Sequence, residues 1–236
     1  MKFFHPHSIP TIIILIFVSS IVSCNKETEN DLIEVKPEIR YLALGDSYTF
    51  GQGVEVKERF PHQVMDWLKI NGVSADTPEY IAYTGWTTGR LLSEIEKATL
   101  PNDFNLVSLL IGVNDQYGRV DTGVYAKTFE SCLSRAIKFA GNRKERVFVL
   151  SIPDYSVTPV GRSMDSVRIS KEIDLYNSIN KRITTSYQIS YTNITESTRQ
   201  AAVVPGLICS DALHPSGREY KKWSELLGPG MFEALK

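Results

Sequence analysis

The chain has 236 residues, 42% of them apolar, with 26 Lys and Arg against 27 Asp and Glu and a net charge of −1. That composition suits one globular domain with a sizeable core, and nothing in the even charge invites nucleic acid, so no nucleic-acid partner is expected. The three cysteines form no CxxC pair and no Cys/His cluster with zinc spacing, and no G-x-G-x-x-G or P-loop motif appears, so neither a metal nor a nucleotide cofactor is expected.

The N-terminus reads as a targeting segment. Lys2 supplies a positive start, and Thr11 to Val22 is apolar apart from Ser19 and Ser20, too short to span a bilayer comfortably. The run ends in Ile21-Val22-Ser23-Cys24, which resembles a bacterial lipobox. The resemblance implies cleavage before Cys24, lipidation of its thiol, and export to a bacterial envelope membrane, at the outer membrane or cell surface. Residues 24–37 are polar and acidic and read as a solvated tether, so the expected organisation is a signal over 1–23, the tether, and a domain over 38–236.

Within the domain, Ile39 to Leu44 reads as a buried strand that stops at a Gly45 turn followed by Asp46 and Ser47. Phe60, Val64, Trp67 and Leu68 mark a helix over Arg59 to Ile70, with Pro61 in its first turn and Asn71-Gly72 as its stop. A short strand is expected over Glu79 to Tyr83, then a helix from about Gly89 to Ala98. Phe104 to Ile111 is an apolar run of the kind covered on both faces in a parallel sheet. A helix follows from Asp121 to near Gly141-Asn142, then a strand over Arg146 to Ile152 and a loop over Asp154 to Ser163. Ile169, Ile173, Tyr176, Ile179 and Ile183 mark a long helix, and Ile189 to Ile194 a last strand. Thr195 to Ser210 reads as loop, and a C-terminal helix carries Tyr220, Trp223, Leu226 and Leu227. Alternating strands and helices predict a three-layer α/β/α domain with a mainly parallel sheet, flavodoxin-like in plan.

Ser47 stands just beyond a strand's carboxyl end, where open α/β sheets place ligands. A serine hydroxyl needs an adjacent base to act as a nucleophile. Two histidines lie in the domain. His62 falls inside a helix and reads as a surface residue, whereas His214 follows Asp211 at a spacing that lets the carboxylate orient the imidazole. The same Asp-x-x-His pattern also fits a helix start, with Asp211 or Ser210 as cap and Pro215 in the first turn. Gly85 and Asn114, at two further strand ends, offer a backbone N–H and a side-chain amide toward a developing oxyanion, and Ser47 can add its own N–H. Cys132 and Cys209 could form a disulfide in an exported protein, although Cys132 sits in a helical pattern that also suits a core residue.

Four segments in this order resemble the blocks of the SGNH/GDSL hydrolase superfamily: Gly45-Asp46-Ser47-Tyr48, Gly85-Trp86-Thr87-Thr88, Gly112-Val113-Asn114-Asp115 and Asp211-Ala212-Leu213-His214-Pro215. The resemblance implies Ser47 as nucleophile, His214 as base and then acid, Asp211 as its orienter, and Ser47, Gly85 and Asn114 as the oxyanion hole. The family's glycine block often has an asparagine before the glycine, and Tyr80 to Thr84 has none. No G-x-S-x-G elbow is present, which disfavours the α/β-hydrolase fold, and Gly51-Gln52-Gly53 is only half a dinucleotide fingerprint. The expected activity is a serine esterase on acyl or acetyl esters of lipid or carbohydrate, with Tyr48, Trp86 and Tyr117 as candidate substrate contacts. An acyltransferase to a glycan hydroxyl, and a glycan- or lipid-binding lipoprotein without chemistry, are the alternatives.

Overall fold

A computed structural model describes residues 1–3 and 38–236. The apolar run, Cys24 and the tether lie outside the described residues. Residues 38–236 lie within one compact unit.

The elements follow one another as β1 (Tyr41–Gly45), α1 (Ser47–Phe50), α2 (Phe60–Ile70), β2 (Glu79–Ala82), α3 (Thr88–Lys97), β3 (Leu106–Leu110), α4 (Val113–Tyr117), α5 (Thr122–Phe139), β4 (Val147–Leu150), α6 (Pro159–Arg162), α7 (Ser166–Ser186), β5 (Ser190–Thr192), α8 (Thr195–Arg199) and α9 (Gly217–Ala234). The five strands pair in parallel in the order β2-β1-β3-β4-β5. Every residue of β1 and β3 is buried, as both faces of a parallel sheet require. The chain leaves β1 first toward one edge and later toward the other, so the strand order reverses between β1 and β3, the place where such sheets hold ligands.

Helices cover both faces. Phe60, Val64 and Leu68 put an apolar stripe on α2, which packs against α9 through Phe60 and Trp223, their rings 5.8 Å apart. Ser216 caps α9 by accepting the Glu219 N–H, and the buried Trp223 Nε1–H donates to Glu219 Oε1 at 2.9 Å. On the opposite face α3, α5 and α7 pack side by side, with the Tyr125 and Tyr176 rings 4.6 Å apart. Phe, Leu, Ile and Val side chains of this kind each contribute on the order of 1.5–3 kcal/mol when buried.

The structure departs from the expected elements in three ways. Ladders are shorter than the apolar runs: Phe104, Ile111 and Ile152 are fully buried yet lie beyond the strands, and Ile39 makes only an isolated bridge with Ala75. Gly45 is the last residue of β1 and pairs with Ala82 and Leu110, rather than being the turn. Short helices α6 and α8 occupy stretches expected as loops, with single 3₁₀ turns at Tyr155–Val157 and Gln200–Ala202, and α1 and α4 follow β1 and β3 where no element is expected.

Gly45 has a steric reason. A Cβ there would sit 2.4 Å from the Leu110 carbonyl oxygen and 2.2 Å from Thr49 Oγ1. Gly45→Ala should therefore push β1 from β3 and lower stability by about 1–3 kcal/mol. It should also reduce activity, because Ser47 follows two residues later. Urea unfolding and ester hydrolysis measured on the same preparation check this, and wild-type values for both would refute it.

Candidate active site

β1 delivers the chain into α1, whose cap is Asp46: Oδ1 accepts the Tyr48 N–H at 2.9 Å. Ser47 is the first helical residue, so its own N–H has no intrahelical acceptor. Gly51 ends the helix in the left-handed region, φ 77°, with its N–H on the Ser47 carbonyl. A serine placed this way is held by backbone bonds on both sides while its hydroxyl is free to face a partner.

That partner is His214. Its Nε2 lies 3.0 Å from Ser47 Oγ, and its Nδ1 lies 2.6 Å from Asp211 Oδ2. The segment carrying both residues is a tight hook, not a helix start. Cys209 N–H donates to the His214 carbonyl, Ala212 N–H to the Cys209 carbonyl, and Ile208 bridges Pro215 antiparallel. Ala212 takes φ 64° at the tip. Asp211 Oδ1 accepts the Leu213 and His214 N–H groups, both at 2.9 Å, so the carboxylate caps this turn, and α9 is capped by Ser216 instead. Partial burial opposes ionisation of Asp211, but donors from Cys209, the two backbone N–H groups and the imidazole outweigh it and hold the carboxyl down to about 2. An ionised Asp211 places the proton on Nδ1 and leaves the Nε2 lone pair toward the Ser47 hydroxyl. The Tyr48 ring packs against the imidazole at 5.2 Å.

The loops after β2 and β3 are joined to each other. Thr88 gives both its N–H and its hydroxyl to the buried Asp115 carboxylate, at 2.8 and 2.6 Å, and Asn114 Nδ2 donates to the Trp86 carbonyl at 3.0 Å. Gly85 has φ 81° and nothing within 4 Å of where a Cβ would be, so its backbone is open to approach. Gly112 is the reverse case: a Cβ would meet Ile152 and Tyr125, each at 2.7 Å, so only glycine lets α4 start so close to the core.

A cavity of about 180 Å³ opens at the serine and is lined by Ser47, Tyr48, Val113, Asn114, Tyr117, Tyr155, Val160, Met164, Leu213 and His214. Of the three aromatic candidates, Tyr48 and Tyr117 are on its wall. Trp86 is not, and it packs on Tyr83 at 6.1 Å, with its carbonyl serving Asn114. Val160, Met164 and Leu213 carry no signal of this role in the sequence, because isolated apolar residues in short segments show no periodicity. His62 is half-buried, its Nδ1 2.7 Å from the Tyr80 hydroxyl. Cys132 and Cys209 are both free: Cys132 is buried with its thiol on the Thr88 carbonyl, and Cys209 contacts Asp211, so the disulfide does not form.

A parallel α/β/α sheet with a Ser–His–Asp relay at its switch point defines a serine-hydrolase type of site. Residues 43–222 match the GDSL-like Lipase/Acylhydrolase family, and the chain belongs to that family as a carboxylic ester hydrolase. Among the solved structures, TesA aligns over 83% of this chain and 99% of its own, at 15% identity and TM-score 0.66. An acetyl xylan esterase, AlAXEase, aligns over 84% and 100% at 17% identity and TM-score 0.64. A GDSL-like lipase from Bacteroides thetaiotaomicron aligns over 83% and 89% at 19% identity and TM-score 0.59. At these identities the likeness is one of fold. No curated protein matches the chain in sequence.

Asp46 carries a consequence for stability. Burial pushes its carboxyl up to about 8, against the pull of the Tyr48 N–H and with help from the nearby Asp115 charge. Oδ2 has no partner. The folded protein thus holds a proton that the unfolded chain releases at ordinary carboxyl pH. The stabilisation is complete in acid and drains away as pH rises through about 8. Asp46→Asn keeps a capping oxygen and removes the titration. Its melting temperature should fall less than that of wild type between pH 5 and 9, and identical slopes would refute the protonated state.

Proposed function

We propose that Ser47 is the nucleophile of a serine esterase that cleaves acyl-chain esters through an acyl-enzyme. The observation that carries this is the unbroken relay Ser47 Oγ–His214 Nε2–His214 Nδ1–Asp211, at 3.0 and 2.6 Å, opening into the apolar cavity. Nε2 takes the Ser47 proton as Oγ attacks the carbonyl carbon. The oxyanion is met by the free Ser47 N–H, the open Gly85 N–H and the Asn114 N–H not used on Trp86. His214 then gives its proton to the departing alcohol, and water repeats the sequence on the acyl-enzyme.

The lining of the cavity supports the acyl side of the substrate. Val113, Val160, Met164 and Leu213 offer a chain apolar contact that an acetyl group would leave largely unused. The fold neighbours include proteins named as a lipase and as an acetyl xylan esterase, so the fold serves both chemistries and the cavity decides between them. The N-terminal apolar run and Cys24 support a further part of the reading, an exported enzyme held to a bacterial envelope membrane by lipid on Cys24. Its substrates would then be esters of envelope or extracellular lipids and glycans.

Initial rates on p-nitrophenyl acetate, butyrate and octanoate test the reading. The expected order puts butyrate or octanoate above acetate in kcat/KM, with all activity lost in Ser47→Ala. Activity surviving in Ser47→Ala would overturn the nucleophile, and an acetate preference would overturn the acyl-chain reading. Asn114→Ala should lower kcat by about 10²–10³ if its amide meets the oxyanion. An unchanged kcat would remove it from that role. Products analysed with a sugar alcohol present would distinguish hydrolysis from transfer.

A further inference from the structure

Asp211 is held by more than its turn. Its Oδ1 takes a third donor, the Cys209 thiol, with Sγ 2.9 Å away. The thiol is placed by two separate parts of the chain. On its own hook, Cys209 N–H donates to the His214 carbonyl at 2.9 Å and Cys209 accepts from Ala212 N–H at 3.1 Å, so Cys209 and His214 face each other across the turn. From the other side, the loop after α1 presses Gly53 against it. A Cβ at Gly53 would lie 2.4 Å from Cys209 Sγ and 3.3 Å from Asp211 Oδ2, and Gly53 has φ 84°. Bare backbone from the segment that follows Ser47 thus packs against one side of the thiol–carboxylate pair, whose other side faces solvent.

We infer that Cys209 is a positioning residue: its S–H fixes Asp211 Oδ1, so that Oδ2 alone faces the imidazole, and it draws off part of the charge that stabilises the imidazolium. This rests on the roles proposed above for Ser47, His214 and Asp211. A thiol can do this only while it keeps its proton. Burial and the adjacent Asp211 carboxylate both push the Cys209 thiol up, so it remains a donor. The other ionisable groups facing Asp211 are His214 on the same hook, Tyr48 from α1 and Tyr220 from α9, and both phenols stay neutral because burial pushes them up. Among the described residues Cys209 is therefore the side chain, besides the imidazole, that donates to this carboxylate.

The direction of the effect follows from electrostatics. A carboxylate that loses one of its donors is more negative toward Nδ1, so it favours the protonated imidazole. The base is then neutralised at higher pH, and the acid limb of the rate profile moves up. A role confined to packing would lower activity or stability without moving that limb.

The test uses the full-length protein and its Cys209→Ala and Cys209→Ser variants, with kcat, KM and melting temperature measured on the best p-nitrophenyl ester and kcat followed across pH. Cys209→Ala should lower kcat by about tenfold with KM unchanged, because an Asp211 no longer fixed at Oδ1 holds the imidazole in line with Ser47 only part of the time. Its acid limb should shift upward. Cys209→Ser, whose O–H also donates, should restore both the rate and the position of the limb. Wild-type kcat and limb in Cys209→Ala would overturn the inference, as would a loss that serine fails to rescue with the limb unmoved. If Cys209→Ala does not fold, a shifted limb in Cys209→Ser overturns it by itself, and an unshifted limb at wild-type rate supports it. Ser47→Ala, assayed alongside, separates the two layers. If it retains activity, both the proposed mechanism and this inference fail. If it is inactive while Cys209→Ala matches wild type, only the role of Cys209 fails.

Discussion

The contact between His214 and Ser47 joins residues 167 positions apart, and the placement of the site depends on it. One partner hangs from the first strand of the sheet, the other from a hook just before the last helix. A 3.0 Å contact across that separation requires both attachments to be rigid. On one side the rigidity comes from Gly45, wedged between Leu110 and Thr49, and from the Asp46 cap. On the other it comes from Asp211, whose carboxylate ties the hook that presents the imidazole. Local turn chemistry at two distant points thus produces a line of hydrogen-bonded groups that neither segment contains.

The cost of this arrangement is visible beneath Ser47. Asp46 Oδ2, Thr49 Oγ1 and the Tyr220 hydroxyl are buried without a partner, although buried polar groups are normally paired. Folded proteins concentrate such unfavourable features where function requires a fixed geometry. The core around them supplies the compensation: β1 and β3 are buried throughout, and the aromatic contacts of Phe60, Tyr220 and Trp223 lie on the same side of the molecule as α2 and α9.

Much of this was legible in the sequence, and the physical reasons for what was not are specific. The long helices declared themselves because 3.6-residue periodicity accumulates over several turns, as in Ile169, Ile173 and Tyr176. α1, α4, α6 and α8, with four or five residues each, complete little more than one turn and show no period. The apolar runs overshoot the strand ends because burial continues where hydrogen bonding stops, as at Phe104 and Ile152. Ser47, His214 and Asp211 stood out because the domain contains so few histidines and only one follows a carboxylate by three. Trp86 illustrates the opposite limit. Its neighbourhood was readable, but its contribution comes from a backbone carbonyl, to which side-chain identity gives no clue.

The cavity walls were the least legible part, and the reason bears on how specificity is built. Val160 and Met164 lie between β4 and α7, outside the sheet that positions the relay. A free loop there would make a poor wall, since ordering it on each binding event would cost affinity. This one is fixed by Asp154, which is 1% exposed and caps Ser156, takes the Ser170 hydroxyl, and pairs with Arg199 at 2.9 Å. Burial opposes its ionisation, but the donors from Ser170, Ser156 and Arg199 prevail and hold its carboxyl below the usual range. Arg199 in turn reaches Asp174 on α7 and Glu196 on α8. The wall is therefore anchored by an ion-pair network of its own, and it meets the hook that carries Asp211 and His214 at the Val160 N–H, which donates to the Ala212 carbonyl. That contact is a backbone bond, so the side chains of Val160 and Met164 can change while the hook keeps its geometry, which separates the shape of the cavity from the placement of the relay.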